Sequence, residues 1–256
     1  MKTRRWMARV GVARGSAVFG LAAPMQGQEC PELVGEQDVG FWFYPARIEV
    51  SGSLVFLGGP HRDPTGGCRG GGPSPMPVEI IDVSDPEDPR VLGVVSNLVT
   101  DFSASEDRLY ILSSHCRETL HYETVTVVGV ANREQPHRLG YFSGGGHPSW
   151  SYIEAVGDTV FLATSDGLSV LDATDPSNPN EIGTLEIPWE PSGLFAEGEL
   201  LYVAEPDSGL RIIDVADPTN PVEIGLWATT WEARNFEVLD GFAYVADGAG
   251  GLRVID

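Results

Sequence analysis

Residues 210–225 read LRIIDVADPTNPVEIG. A short apolar run stops at Asp214, and Asp217-Pro218 and Pro221 follow before the chain turns apolar again. This is a strand that ends in a turn and restarts. The Asp214 carboxylate can accept hydrogen bonds from the N–H groups of the turn. Pro218 fixes its own φ and moves Asp217 out of the helical region. Pro221 opens the next strand, where one missing N–H donor is tolerated on an outer edge.

The same pattern recurs without gaps at 168–183 (LSVLDATDPSNPNEIG), 125–140 (VTVVGVANREQPHRLG) and 78–93 (VEIIDVSDPEDPRVLG). It begins again at 252–256 (LRVID). The anchor positions Asp82, Gly129, Asp172, Asp214 and Asp256 are spaced by 47, 43, 42 and 42 residues. A second element precedes each: SLVFL from Ser53, RLYIL from Arg108, TVFLA from Thr159, LLYVA from Leu200 and FAYVA from Phe242. With NFEVL from Asn235 and VEIGLWA from Val222, each period holds about four strands rich in β-branched and aromatic residues. No helical periodicity competes. The 31 Gly and 19 Pro supply the turns that so many short strands require. The expected fold is all-β, a β-propeller of about five four-stranded blades. The repeats fall near 45–97, 98–143, 150–187, 192–229 and 233–256, with 31–40 as an additional piece.

The second repeat departs from the pattern. Gly129, Asn132 and Arg133 replace Asp, Asp and Pro, so a looser turn is expected there. A calcium site at the repeated aspartates is the alternative to turn capping, but each turn offers few clustered carboxylates.

LxVID followed by VxDPxxP, with YVA one hairpin earlier, resembles the LVIVD-repeat proteins, which are bacterial and archaeal β-propellers, commonly exported. The resemblance runs from Pro31 to Asp256. It implies a propeller and an exported setting. It brings no common catalytic residues, so function must come from the site itself.

Pro31-Glu32-Leu33-Val34-Gly35 matches Pro221-Val222-Glu223-Ile224-Gly225, the outer strand of a repeat. The N-terminal strand is therefore expected to complete the last blade and close the ring, removing exposed sheet edges. The alternative is an open arc, the fragment of a larger surface propeller.

The formal net charge is −21, and it is unevenly placed. Residues 1–28 hold five basic groups (Lys2, Arg4, Arg5, Arg9, Arg14) and no acid, leaving −26 on the remainder. A body this acidic repels phosphate backbones, which excludes nucleic acid as a partner. The basic start, the weakly apolar stretch from Val10 to Ala23 and the small residues up to Gln28 read as an export signal over 1–28. Arg4-Arg5 also fits a twin-arginine signal. No later apolar run approaches the length of a membrane span, so the mature chain, 29–256, is expected to lack one. The expected location is periplasmic, extracellular or on the cell surface.

In a propeller, the connections from second to third strand and from fourth strand to the next blade share one face. Two insertions fall there: Gly58 to Pro77 and Ser113 to Glu123, both read as loops. Each carries a cysteine, and an oxidising compartment predicts a Cys68–Cys116 disulfide, leaving Cys30 over. It would close a loop of about 50 residues and stabilise by roughly 4 kcal/mol in the chain-entropy model. His61, His115, His121 and His147 gather in the same region and are weak candidates for a metal site, without tight motif spacing. Trp42, Trp189 and Trp231 recur at the turn from fourth to first strand, with Tyr44 and Trp150 nearby. An aromatic rim of this kind suits a carbohydrate, peptide or protein surface. The competing role for these tryptophans is packing between blades.

No nucleophile–base motif stands out, and no phosphate-binding glycine loop. The leading expectation is an exported, non-catalytic propeller that binds a protein or carbohydrate at the cell surface, with no cofactor. The alternative is a hydrolase or metal-dependent enzyme with its site at the channel mouth, since carboxylate pairs are recognised by spatial separation rather than by sequence.

Overall fold

The computed structural model describes residues 8–13, 16–21, 35–37, 47–58, 77–95, 99–117, 120–144, 150–164, 167–187, 191–205, 208–229, 233–239 and 241–255. Four blades are four-stranded antiparallel sheets in simple chain order. The first is β4 (Arg47–Ser51), β5 (Leu54–Gly58), β6 (Val78–Asp82) and β7 (Arg90–Val95). The second is β8 (Asp101–Ser105), β9 (Arg108–Arg117), β10 (Leu120–Gly129) and β11 (His137–Gly144). The third is β12 (Trp150–Val156), β13 (Thr159–Thr164), β14 (Gly167–Asp172) and β15 (Asn180–Glu186). The fourth is β16 (Gly193–Glu197), β17 (Leu200–Glu205), β18 (Gly209–Asp214) and β19 (Val222–Ala228). The fifth holds β20 (Ala233–Leu239), β21 (Phe242–Asp247) and β22 (Leu252–Ile255) among the described residues. The first strands β4, β8, β12, β16 and β20 contact one another in succession and form the inner ring. The expected five-bladed propeller is the fold observed.

The core lies between blades rather than within them. Tyr110, Leu112, Val125 and Val127 of the second blade pack on Ile153, Val160, Leu162 and Leu171 of the third. Similar clusters join the first blade to the second, the third to the fourth and the fourth to the fifth. In the first and third blades the second and third strands are therefore covered on both faces, and β5 is buried at every residue. Fourth strands lie on the rim, and β19 alternates exposed and half-buried positions. This is why LVFL and VLD are continuous apolar runs whereas VEIGLWA is mixed.

The repeated aspartates cap the turns, as the sequence implied. The N–H groups of Ser84, Thr174 and Ala216 donate to Asp82, Asp172 and Asp214 at 2.9, 2.8 and 2.9 Å. Those of Glu87, Ser177 and Thr219 donate to Asp85, Asp175 and Asp217, each at 3.0 Å. The hydroxyls of Thr174, Ser177 and Thr219, followed by these N–H bonds, hold the carboxyls of Asp172, Asp175 and Asp217 below the ordinary carboxylate range, and the Ser84 N–H leads the same lowering at Asp82. In the second blade the backbone bond from Gln135 to the Asn132 carbonyl survives at 3.0 Å, but Gly129 offers no carboxylate.

Each turn also anchors its neighbour. One bulge interrupts the outer pair of all four complete blades, and a glycine follows it: Gly93, Gly140, Gly183 and Gly225. A Cβ on Gly140 would lie 2.1 Å from the Pro176 carbonyl oxygen of the next blade's turn, and one on Gly183 would lie 2.3 Å from that of Pro218. Gly93 faces the Arg133 carbonyl in the same way, at 2.6 Å. Among the described residues, Gly225 meets only Ile212, at 3.9 Å.

Two expectations need correction. Residues 113–123 are not a loop: β9 and β10 form a continuous ladder from Gly129–Arg108 to Leu120–Arg117. Ser, His, Tyr and Thr in that stretch take extended backbone well and give a hairpin rather than a coil. Gly35–Gln37 forms β3, which pairs with β2 (Ser16–Leu21), itself paired with β1 (Ala8–Ala13), and not with β22. Residues 31–34 lie outside the described residues.

Candidate functional site

The inner ring carries the described charged cluster that no repeat pattern explains. β4 supplies Arg47 and Glu49, two residues apart and so on one face. β8 supplies Asp101 and β12 supplies Glu154, on the next two blades. Arg47 Nε donates to Glu49 Oε1 at 2.9 Å, and Nη2 reaches the same oxygen. Nη1 donates to Asp101 Oδ2 at 3.0 Å, and Nη2 to Glu154 Oε2 at 3.2 Å and the Ile153 carbonyl at 3.3 Å. The guanidinium lies 5.9 Å from the centroid of the Phe102 ring.

Each carboxylate also binds the backbone of the next blade. Glu49 Oε2 accepts from Ala104 N–H at 2.5 Å, Asp101 Oδ2 from Ile153 N–H at 3.0 Å, and Glu154 from Ala196 N–H. Ser103 and Ser105 continue the series, accepting from Ala155 and Gly157 at 3.0 and 2.8 Å. Burial nonetheless dominates. It pushes Asp101 up to about 6 against the pull of Arg47, and raises Glu49 despite the same pull. Burial, then the charge of Glu49, pushes Glu154 up to about 8. Burial opposes the charge on Arg47, but Asp101, Glu49 and Glu154 outweigh it and hold Arg47 protonated.

A second kind of polar pair recurs at the ends of second strands. Arg211 bonds Glu205 in the fourth blade and reaches Glu223 at 3.0 Å; Arg253 bonds Asp247 at 3.3 Å at the equivalent place in the fifth. Thr164 holds that position in the third, accepting from Gly167 N–H at 3.1 Å.

Most residues singled out from sequence are not placed by the structure. Trp42, Tyr44, Trp189, Trp231, His61, His147, Cys30 and Cys68 lie outside the described residues, as do the side chains of Trp150, His115, Cys116 and His121. The proposed Cys68–Cys116 pairing therefore lies outside them too. The backbone of β9 and β10 does set Cys116 opposite His121 and His115 opposite Tyr122. Among the described residues, no three His, Cys, Asp or Glu groups are arranged to hold a metal ion.

Sequence reasoning missed Arg47, Glu49, Asp101 and Glu154. They lie up to 107 residues apart, on the strands with the least common pattern. The available signal was charge: RIEV, DFSA and YIEA place ionisable residues on strands of an otherwise apolar interior.

The LVIVD repeat family model matches residues 151–186, 192–229 and 232–256. No curated protein matches the chain by sequence. Solved structures similar to it include a functionally unknown protein from Desulfotomaculum acetoxidans, with TM-score 0.68 and 11% identity over 96% of this chain and 78% of that one. A protein from Lactobacillus plantarum is similar at TM-score 0.62 and 14% identity, over 97% and 80%. The computationally designed protein Ika8 is similar at TM-score 0.59 and 13% identity, over 96% and 69%. These likenesses concern the fold. Repeat, turn chemistry and architecture agree: the chain is a β-propeller, and its segments 151–186, 192–229 and 232–256 match the LVIVD repeat.

Proposed function

We propose that this propeller is an exported, non-catalytic binding module that engages a protein, peptide or carbohydrate through the face carrying the β9–β10 tip. The observation that supports this is the length of that hairpin. β9 and β10 each run ten residues, whereas β13, β14, β17 and β18 run six. The extra ladder carries the paired backbone of Ser114 to Arg117 and Leu120 to Glu123 past the length of the other hairpins. The equivalent strands of the adjacent blade, β5 and β6, are separated by residues 59–77. By contrast, the polar residues shared between repeats are committed to turns and blade contacts. No helix among the described residues is long and apolar enough to cross a membrane.

Site-specific photocrosslinking in the producing cell tests the reading. A crosslinker at Leu120 on the hairpin should give a discrete adduct, and one at Arg90 on the opposite face should not. Identical patterns from both positions, or none from Leu120, would remove the support.

A further inference from the structure

The Arg47 cluster has too many acceptors. Nη2 carries two hydrogens and faces three acceptors: Glu49, Glu154 and the Ile153 carbonyl. Three carboxylates surround one guanidinium, so full ionisation would leave two uncompensated negative charges in a largely buried ring. Only 6% of the Asp101 side chain is exposed, and only 15% of Glu154. Like charges sharing such a site cannot all ionise cheaply.

We propose that the Arg47 cluster is a proton-binding site, which holds a proton between Glu49 and Glu154 in neutral and mildly acidic media and releases it in mild alkali. The proton supplies the donor that Nη2 lacks, since both glutamates sit on that one nitrogen. Because Glu49 also binds the second blade and Glu154 the fourth, the charge on this pair sets the cohesion of four consecutive inner strands.

Among the described side chains, the surroundings offer no second cation. On β8 the neighbours are Asp101 and Ser103. Phe56 on β5 and Phe161 on β13 stand opposite Glu49 and Glu154 in their ladders. On β16 the ionisable residue is Glu197, next to Ala196; β20 carries Glu237, at the place equivalent to Glu154, and Arg234, whose side chain lies outside the described residues. On β9, Arg108 is engaged away from the cluster, by Asp158 and the Ala173 carbonyl, and Tyr110 donates to the Gly157 carbonyl. The raised values for Asp101 and Glu154 agree with this geometry.

The sign follows from linkage. A carboxyl that titrates higher folded than unfolded keeps its proton in the folded chain after the unfolded chain has lost it. Stability is then greatest below the ordinary glutamate range, falls as pH rises towards about 8, and levels off above. The limiting slope is about tenfold in the folded-to-unfolded ratio per pH unit for one proton.

Urea unfolding of the full chain between pH 5 and 9, wild type against Glu154→Gln, tests it. The wild type should lose up to about tenfold per pH unit between pH 6 and 8, and the variant should be shallower by about one proton. Infrared spectra of the folded wild type should show a protonated carboxyl band at pH 7 that disappears above pH 9 and is absent from the variant. Parallel pH profiles, or no such band in the wild type, would overturn the proposal. If the variant does not fold, the wild-type infrared titration decides alone.

Discussion

A single methyl group placed at Gly183 should cost more than the same methyl at Gly225, although both follow the outer bulge of their blades. At Gly183 the new Cβ would lie 2.3 Å from the Pro218 carbonyl oxygen, with Thr219 backbone atoms at 3.2 Å. Ordinary contact begins near 3.4 Å, so the next blade's turn must withdraw by roughly 1 Å. That turn is backbone, tied down by Asp214 and Asp217, and cannot rotate away as a side chain would. Overpacking of this sort costs about 1–3 kcal/mol, offset by about 0.5–1 kcal/mol from the lower flexibility of Ala in the unfolded chain. Gly183→Ala should therefore lose roughly 1–2 kcal/mol. Gly225→Ala, with its nearest atoms at 3.9 Å, should be neutral or gain roughly 0.5 kcal/mol. Urea denaturation of the two variants, with unchanged slopes, reads the difference directly. Equal midpoints would show that the glycine is not a seat for the neighbouring turn, and the account of blade contacts would fail with it.

Other predictions address single residues. Glu106 holds a left-handed conformation (φ 54°) where the equivalent turns use Gly52, Gly157 and Gly198. Glu106→Gly should thus gain up to about 1 kcal/mol in the same denaturation assay, and a loss would contradict the strain. Arg211→Ala leaves the buried Glu205 without its cation and should cost about 3–5 kcal/mol; adding Glu205→Gln should restore much of it. Arg253→Ala likewise leaves Asp247, only 1% exposed, without its cation and should lower the melting temperature, with Asp247→Asn restoring much of the loss.

The repeat was readable because its signals are local. Asp214, Asp217, Pro218 and Pro221 act within one turn, and the chain writes that turn again at 172–179 and 82–89. Blade order followed, since short connections leave little choice of neighbour. The hairpin was misread because Ser113 to Glu123 lacks the apolar alternation of a half-buried strand. Its pairing is carried by backbone, which polar residues support equally well. The Arg47 cluster was invisible for another reason. Arg47 meets Asp101 across 54 residues and Glu154 across 107, and first-strand sequences share little between blades. Only the packing of successive inner strands side by side brings those residues together.

That weak likeness among first strands has a counterpart in how the blades join. Glu49, Asp101, Ser103, Ser105 and Glu154 each grip an amide N–H of the following blade, and Gly93, Gly140 and Gly183 each receive a carbonyl. Every residue except proline offers the same N–H and carbonyl. These particular contacts therefore do not depend on which side chains the successor carries. Gene duplication can add a unit that docks at once, and its inner strand is then free to drift. The Arg47 cluster is the kind of individual chemistry that such freedom permits inside a repetitive frame.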